Sequence, residues 1–310
     1  MQDVFLTILP IIAVALLGYL AVRFNYISQA VADGLSRFVI AVAIPLFVFR
    51  YSFENGRTLE QHLGLAWPML TIYFVGALGA MVAGLFVARS MAGDGSPNLI
   101  AAAASHSNVM HLALPTVVLL LGSGFRIPLV IILGLHGLLM AVIATVVNDV
   151  RKGSAGNIPQ SLGRVVSKQI KNPILIALVL GLVLKEVGLT MPADVGKVVY
   201  LISDATAPCA LFALGGILAK YALGGNMQGA FVASALKLAV HPLIVWALGT
   251  YVLNVRATWM WLAILVAAMP VALGVGNTQG GDNNNSGGTI VLLSTILSIA
   301  SITAVRYYWP

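Results

Sequence analysis

"SHSNVMHLALPTVVLLLG", residues 105–122, puts two histidines, two serines and an asparagine into seven residues of a greasy chain, then a proline where a helix should run. Whether oil surrounds this stretch decides how it is read. The chain has 310 residues, 59% hydrophobic and 9% charged. Soluble domains carry roughly 25% charged residues, so this composition cannot cover a water-facing surface. Apolar runs of the length a transmembrane helix needs, about 20 residues, recur from end to end. An all-α integral membrane protein is expected.

Ten spans are expected, at about 4–24, 34–53, 63–89, 97–122, 126–149, 171–189, 195–219, 227–253, 258–277 and 288–308. The first run lacks a basic leader and is too long for a signal peptide. Between spans 5 and 6 lies "RKGSAGNIPQSLGRVVSKQIKN" (151–172), with five basic residues and no acid. The positive-inside rule makes it a cytoplasmic loop. With five spans on either side, both termini face outward, across a cell (inner) membrane. The net charge of +7 belongs to loop ends near lipid headgroups and not to nucleic acid. Cys209 is the only cysteine, which excludes intrachain disulfides and a zinc cluster.

Five spans, a loop and five spans suggest a repeat, 1–150 and 171–310 joined by 151–170. An offset of 163 carries Pro10 onto Pro173, Gly18 onto Gly181, Pro45 onto Pro208 and Phe49 onto Phe212. Pro115 in span 4 is matched with Pro270 in span 9, at an offset of 155. An odd number of spans per repeat inverts one copy relative to the other, the plan of many secondary transporters.

A proline inside a helix frees backbone groups, and in lipid these survive only against protein or a wet cavity. Spans 4 and 9 are therefore expected to break near Pro115 and Pro270, and paired breaks point to a midplane binding site. Each break starts a half-helix whose N–H groups favour an anion. The alternative is that both prolines merely kink packed helices. Helical spacing puts Asn108, His111 and Pro115 on one face; His106 falls elsewhere. Asn108 suits a carboxylate, and His111 an anion or a proton. Asn277, at the end of span 9, completes the candidate substrate-binding set of Asn108, His111, Pro115, Pro270 and Asn277.

Asp204 and Lys237 lie deep in spans 7 and 8, with His241 one turn beyond the lysine. Lone intramembrane charges cost at least about 2.5–3.5 kcal/mol, so these are expected to pair, as a structural bridge or as a coupling relay. Ser294, Ser298 and Ser301 form a stripe of the kind that joins helices. "DNNNSGG" (282–288) resembles a calcium loop but lacks the closing glutamate; a flexible linker is expected. No metal site, cofactor or enzymatic motif is identified, and the candidate coupling ions are H+ and Na+.

"NVMHLALPTVVLLLG", "KNPILIALVLGLVL", "APCALFALGGILA", "AAMPVAL" and "LLSTILSIASI", in five-plus-five order, resemble the auxin efflux carrier family, which includes plant auxin exporters and bacterial permeases, some described as malonate transporters. The resemblance covers essentially the whole chain. It implies two inverted five-helix repeats whose broken helices 4 and 9 cross between scaffold and transport domains, each built from both repeats, a bile-acid:sodium symporter-like and NhaA-like fold. It also implies elevator-type alternating access and a small organic anion, malonate-like or auxin-like, as substrate. The chain departs from the family pattern in Ala113-Leu114-Pro115, where "GLP" is common, in His111, and in "GNTQGGDNNNSGG". Expected partners are that anion and membrane lipid, and a homodimer is a candidate assembly. The competing readings are a sodium-coupled symporter of a larger amphipathic anion, and a channel or a membrane sensor that moves nothing.

Overall fold

A computed structural model describes residues 2–54, 59–91, 97–277 and 286–308, and among them there is no β-strand. The helices are α1 (Gln2–Arg23), α2 (Gln29–Phe38), α3 (Ile44–Phe53), α4 (Leu59–Ser90), α5 (Pro97–Ser105), α6 (Leu114–Leu120), α7 (Arg126–Arg151), α8 (Ile158–Gln169), α9 (Pro173–Glu186), α10 (Ala193–Leu218), α11 (Met227–Ala235), α12 (His241–Ala247), α13 (Ala257–Ala267) and α14 (Ser286–Tyr307). Every expected span is helical within a few residues of its expected ends, apart from the interruptions described below.

Six of these helices, or continuous helix pairs, are long and apolar enough to cross a membrane, and seven if α8 and α9, bent by 72°, form one span. The shortfall against ten has a physical source. Expected spans 4 and 9 are cut into pieces, the first span counts only from Ile8 to Arg23, and α9 has 14 residues, about 21 Å at 1.5 Å per residue against a hydrocarbon core of about 30 Å.

Prolines shape the long helices in two ways. Three π-helical turns, Val39–Ala43, Val109–Ala113 and Leu236–Val240, each end two residues before a proline: Pro45, Pro115 and Pro242. A proline ring collides with the carbonyl four residues back. The wider turn moves that carbonyl aside, and the backbone closes on the fifth residue instead, Ile44 N–H to Val39, Leu114 N–H to Val109 and His241 N–H to Leu236. Pro10, Pro68 and Pro208 are held within α-helix.

The segment read as a cytoplasmic loop contains α8, with Pro159 in its first turn and Ser161 its only buried residue. Leu162 and Val166 share a face, and Arg164 and Lys168 lie on the opposite one, the pattern of a helix lying in a membrane interface. Counting charges alone hides that pattern.

The chain divides into two compact units, each drawing on both halves of the sequence. One comprises 1–36, 67–125 and 207–310; the other comprises 37–66 and 126–206. In the first, α1 and α10 approach so closely that a Cβ on Gly18 would lie 2.0 Å from the Phe212 carbonyl oxygen, and one on Gly215 1.7 Å from that of Ala15. Only glycine fits such a crossing, the small-residue packing that membrane helices use. In the second, α3 packs on α9, and a Cβ on Gly181 would meet Ser52 Oγ at 2.1 Å and the Phe49 carbonyl oxygen at 2.9 Å. The Thr206 hydroxyl donates to the Ala43 carbonyl across 3.2 Å.

Candidate functional site

Two interruptions of helix meet inside the larger unit. The first follows α5, at His106, Ser107 and Asn108; the second follows α13, at residues 268–272. Ser107 and Val271 form an antiparallel bridge. Asn108 N–H donates to the Pro270 carbonyl at 2.8 Å, and Ala272 N–H to the His106 carbonyl at 2.9 Å. Each break thus satisfies backbone groups that the other frees, as a break in oil requires.

The geometry corrects the expected position of the first break. Pro115 does not make it: the helix is already broken seven residues earlier, and Pro115 sits in the first turn of α6 behind the π turn that accommodates it. Pro270 does lie in the second break. The residues facing each other are Ser107 and Val271, 164 positions apart.

Asn108 caps the helix that follows. Its side-chain oxygen accepts from His111 N–H at 3.2 Å, the usual N-cap arrangement. Asn172 and Asn226 cap α9 and α11 in the same way, which is why asparagine recurs at helix starts in this chain. The amide nitrogen of Asn172 bonds Gln169. That of Asn108 is buried without a partner, on a residue only 3% exposed. A buried amide donor left unmatched costs about 1–3 kcal/mol. The helix it heads runs from Val109 to Leu120, so the donor stands at the positive end of a 12-residue dipole.

His111 is brought beside Asn108 by that cap, but its ring turns to α2, where Nε2 and Ser36 Oγ share a 2.8 Å hydrogen bond. His106 bends back onto α5, its Nδ1 within 2.9 Å of Ser105 Oγ and 3.0 Å of the Ala102 carbonyl. Asn277 ends the 3-10 turn Leu273–Asn277; its side chain lies outside the described residues, as do 278–285 and with them most of the calcium-loop-like stretch.

Asp204 and Lys237 do not bond to each other. Asp204 meets Arg50 at 2.6 Å in the smaller unit, and Arg50 also lies over the rings of Tyr200 and Tyr51. Lys237, in the larger unit, is fully buried; it donates to the Ala267 carbonyl and lies 3.1 Å from Nδ1 of His241. A backbone carbonyl stands where the sequence suggested a carboxylate. The serine stripe of α14 also serves the second break: Ser301 Oγ donates to the Ala268 carbonyl at 2.9 Å, and Ser294 Oγ accepts Val271 N–H at 3.1 Å. Among the described residues no cluster of His, Cys, Asp and Glu could hold a metal ion.

A cavity of about 740 Å3 lies in the same unit, between α1, the end of α10 and α14. It is mostly apolar, with Arg23, Lys220 and Tyr221 in its lining. Leu112, one turn beyond Asn108, reaches it from the first break.

A family model described as "Membrane transport protein" matches residues 3–306, a stretch that includes both breaks. A protein of Rhizobium meliloti (strain 1021) named "Putative malonate transporter" is 25% identical over 308 residues, 97% of this chain and 94% of that protein. An "Uncharacterized transporter" of Methanothermobacter thermautotrophicus (strain Delta H) is 26% identical over 307 residues, 96% of this chain and 95% of its own.

Proposed function

The chain belongs to the membrane transport protein family, that of the auxin efflux carriers, and from this premise we propose that it is a secondary active carrier of a small organic anion. It is a multi-pass membrane transporter and not an enzyme. The finer reading is a carboxylate of malonate size, moved by alternating access of the elevator type, with Asn108 as the principal contact and the paired breaks as the binding centre.

The observation that carries this reading is the unmatched amide of Asn108 at the head of a 12-residue half-helix. A carboxylate arriving there gains a charge-assisted bond, stronger than a neutral one, and the favourable end of a helix dipole. Arg23 in the lining of the adjoining cavity favours the same charge, while Lys220 there is paired with Asp33 at 3.8 Å. The malonate named for the rhizobial relative fits that chemistry. His111, already bonded to Ser36, holds the half-helix against α2 instead of facing substrate.

The inverted repeat gains support from contacts that exchange under one offset. Gly18 packs on Phe212, and the residues 163 positions away, Gly181 and Phe49, pack on each other. Thr206 and Ala43, themselves 163 apart, are in direct contact, as residues beside a twofold axis would be. An offset of 163 to 164 also carries the first break onto the second. Ten spans in two inverted sets of five, with the basic segment around α8 cytoplasmic, is the topology that accounts for these exchanges.

The test is purified protein in vesicles, offered malonate, longer dicarboxylates, monocarboxylates, an indole acid and a bile acid, beside an amine and a sugar. Small carboxylates should stabilise the protein against heat and be taken up. Binding of the amine or the sugar with no response to any anion would overturn the proposal.

A further inference from the structure

Helix α8 has two unlike faces. Leu162, Val166 and, at the helix cap, Ile170 follow one another at steps of four, and Arg164 and Lys168 stand on the opposite side. The helix packs on α7 and buries Ser161. Even so, Val166 is 49% exposed and Ile170 63%. The fold therefore leaves the apolar face open.

The direction of the helix tells what lies against that face. Asn172 is extended before Pro173, the first residue of α9, as a residue preceding proline prefers, and α8 is bent by 72° from α9. Membrane helices tilt by about 20° on average, so a helix at such an angle to one runs nearer the membrane plane than its normal. A helix is about 10–12 Å across with its side chains. With its apolar side sunk about 5–10 Å into the boundary of headgroups and acyl chains, its other side stands at the level of the phosphates.

At that level the chain is cationic. Lys152, Arg164, Lys168 and Lys171 are all exposed, and the sequence from 150 to 185 contains no acid. None of the four is in an ion pair among the described residues; Arg164 bonds the Ser161 hydroxyl at 3.1 Å. Basic residues clustered on an amphipathic helix beside a span attract an anionic leaflet. An acidic protein would answer the charge alone, whereas a bilayer answers the charge and the open apolar face together. We propose that α8 is a docking helix for anionic phospholipid, with Leu162, Val166 and Ile170 in the acyl boundary and the four basic residues on headgroup phosphates. It holds the smaller unit, to which it belongs, to one leaflet. This goes beyond the reading of the chain as an anion carrier and stands or falls whatever is transported.

The test is amide hydrogen exchange on the whole protein, in vesicles of phosphatidylcholine alone and in vesicles with about a third phosphatidylglycerol, which gives a negative surface. Each basic residue near such a surface strengthens the attraction by about fivefold. The amides of 158–169 should therefore exchange about fivefold or more slower in the anionic vesicles, and high salt should close the gap. Helix α13, buried in the larger unit, serves as the unchanged reference. Equal exchange over 158–169 in the two vesicles overturns the proposal. Polyglutamate added to the neutral vesicles should not slow exchange; if it does so as strongly as the anionic lipid, the surface belongs to an acidic protein and the proposal fails. Arg164→Gln with Lys168→Gln should remove most of the lipid effect and leave exchange in neutral vesicles within about twofold of the parent, as surface substitutions do. A full lipid effect in this variant would equally sink the idea. If the variant does not fold, the comparison of vesicles on the unaltered protein decides alone.

Discussion

The two helix breaks pair with each other backbone to backbone, yet they are finished differently. At the second, nearly every freed group within reach has a donor or acceptor brought to it: Lys237 for the Ala267 carbonyl, Ser301 for that of Ala268, Ser294 for Val271 N–H, Asn108 N–H for the Pro270 carbonyl. At the first, Asn108 caps the next helix through its oxygen and keeps a buried N–H2 in hand. One break is closed by lysine and hydroxyl donors, while the other keeps a buried amide donor unpaired. Under the proposed function the contrast divides the tasks: the second break is a fixed joint, and the first is where a negatively charged guest would change the energy most.

The largest effect should come from breaking that contrast at Asn108. Asn108→Asp keeps the oxygen that caps His111 N–H but replaces the spare donor with negative charge. The variant should unfold within a few degrees of the parent, while malonate uptake falls about 100-fold or more, from a lost charge-assisted bond of about 1.5–3 kcal/mol plus repulsion. Asn108→Ala should lose the cap as well, about 1 kcal/mol of stability. Uptake kinetics beside thermal unfolding separate the two. If Asn108→Asp transports normally, the spare amide is not the anion contact.

At the joint the pattern should reverse. Ser301→Ala and Ser294→Ala each strand a buried backbone group, costing about 1–3 kcal/mol of stability. Neither touches the proposed guest, so the affinity for malonate should shift by less than about threefold. Thermal unfolding and a binding titration report the split. A fall in affinity at unchanged stability would mean that the two breaks share the guest.

How far this division is legible in the sequence depends on what carries each feature. Helix positions follow from runs of apolar residues, which is why each expected span falls on helix, while α8, with few apolar residues, lies in the expected loop. That spans 4 and 9 are broken is legible from their prolines. Where the first breaks was not, because Pro115 draws the eye and a π turn absorbs it; that turn is a change of hydrogen-bond register, which no residue type announces. The partner of Lys237 is a main-chain carbonyl, and every residue has one, so the lysine was matched with Asp204, the acid at similar depth. The partner of Asp204 is Arg50, which stands near the end of expected span 2, where a basic residue reads as a loop-end charge. A signal was available: if positions 43 and 206 touch, Arg50 on one helix faces the stretch before Asp204 on the other.

That crossing offers a smaller, symmetrical test. Gly18→Ala and Gly181→Ala press a methyl against the carbonyls of Phe212 and Phe49. Overpacking of this kind costs about 1–3 kcal/mol. Both should lower the thermal midpoint, Gly18→Ala by more, because its nearest obstacle at 2.0 Å is backbone, whereas at Gly181 the nearest is the Ser52 hydroxyl, which can rotate away. The opposite order would mean that the two crossings are not versions of one contact.

The smallest effect is expected where the sequence placed the most weight, at Asp204. Its side chain is 68% exposed and that of Arg50 17%, so although they meet at 2.6 Å, the pair resembles a surface bridge, worth about 0–1 kcal/mol. Lys237 stands in a different environment: it is fully buried and donates to a backbone carbonyl. A double-mutant cycle with Arg50→Gln and Asp204→Asn, read by thermal unfolding, should give a coupling below about 1 kcal/mol and leave malonate uptake within about twofold. A coupling of 3 kcal/mol or more, the range of buried pairs broken at one end, would instead mean that the pair is shut away from water. The smaller unit would then hold a buried charge pair of its own, apart from the anion site proposed for the larger unit.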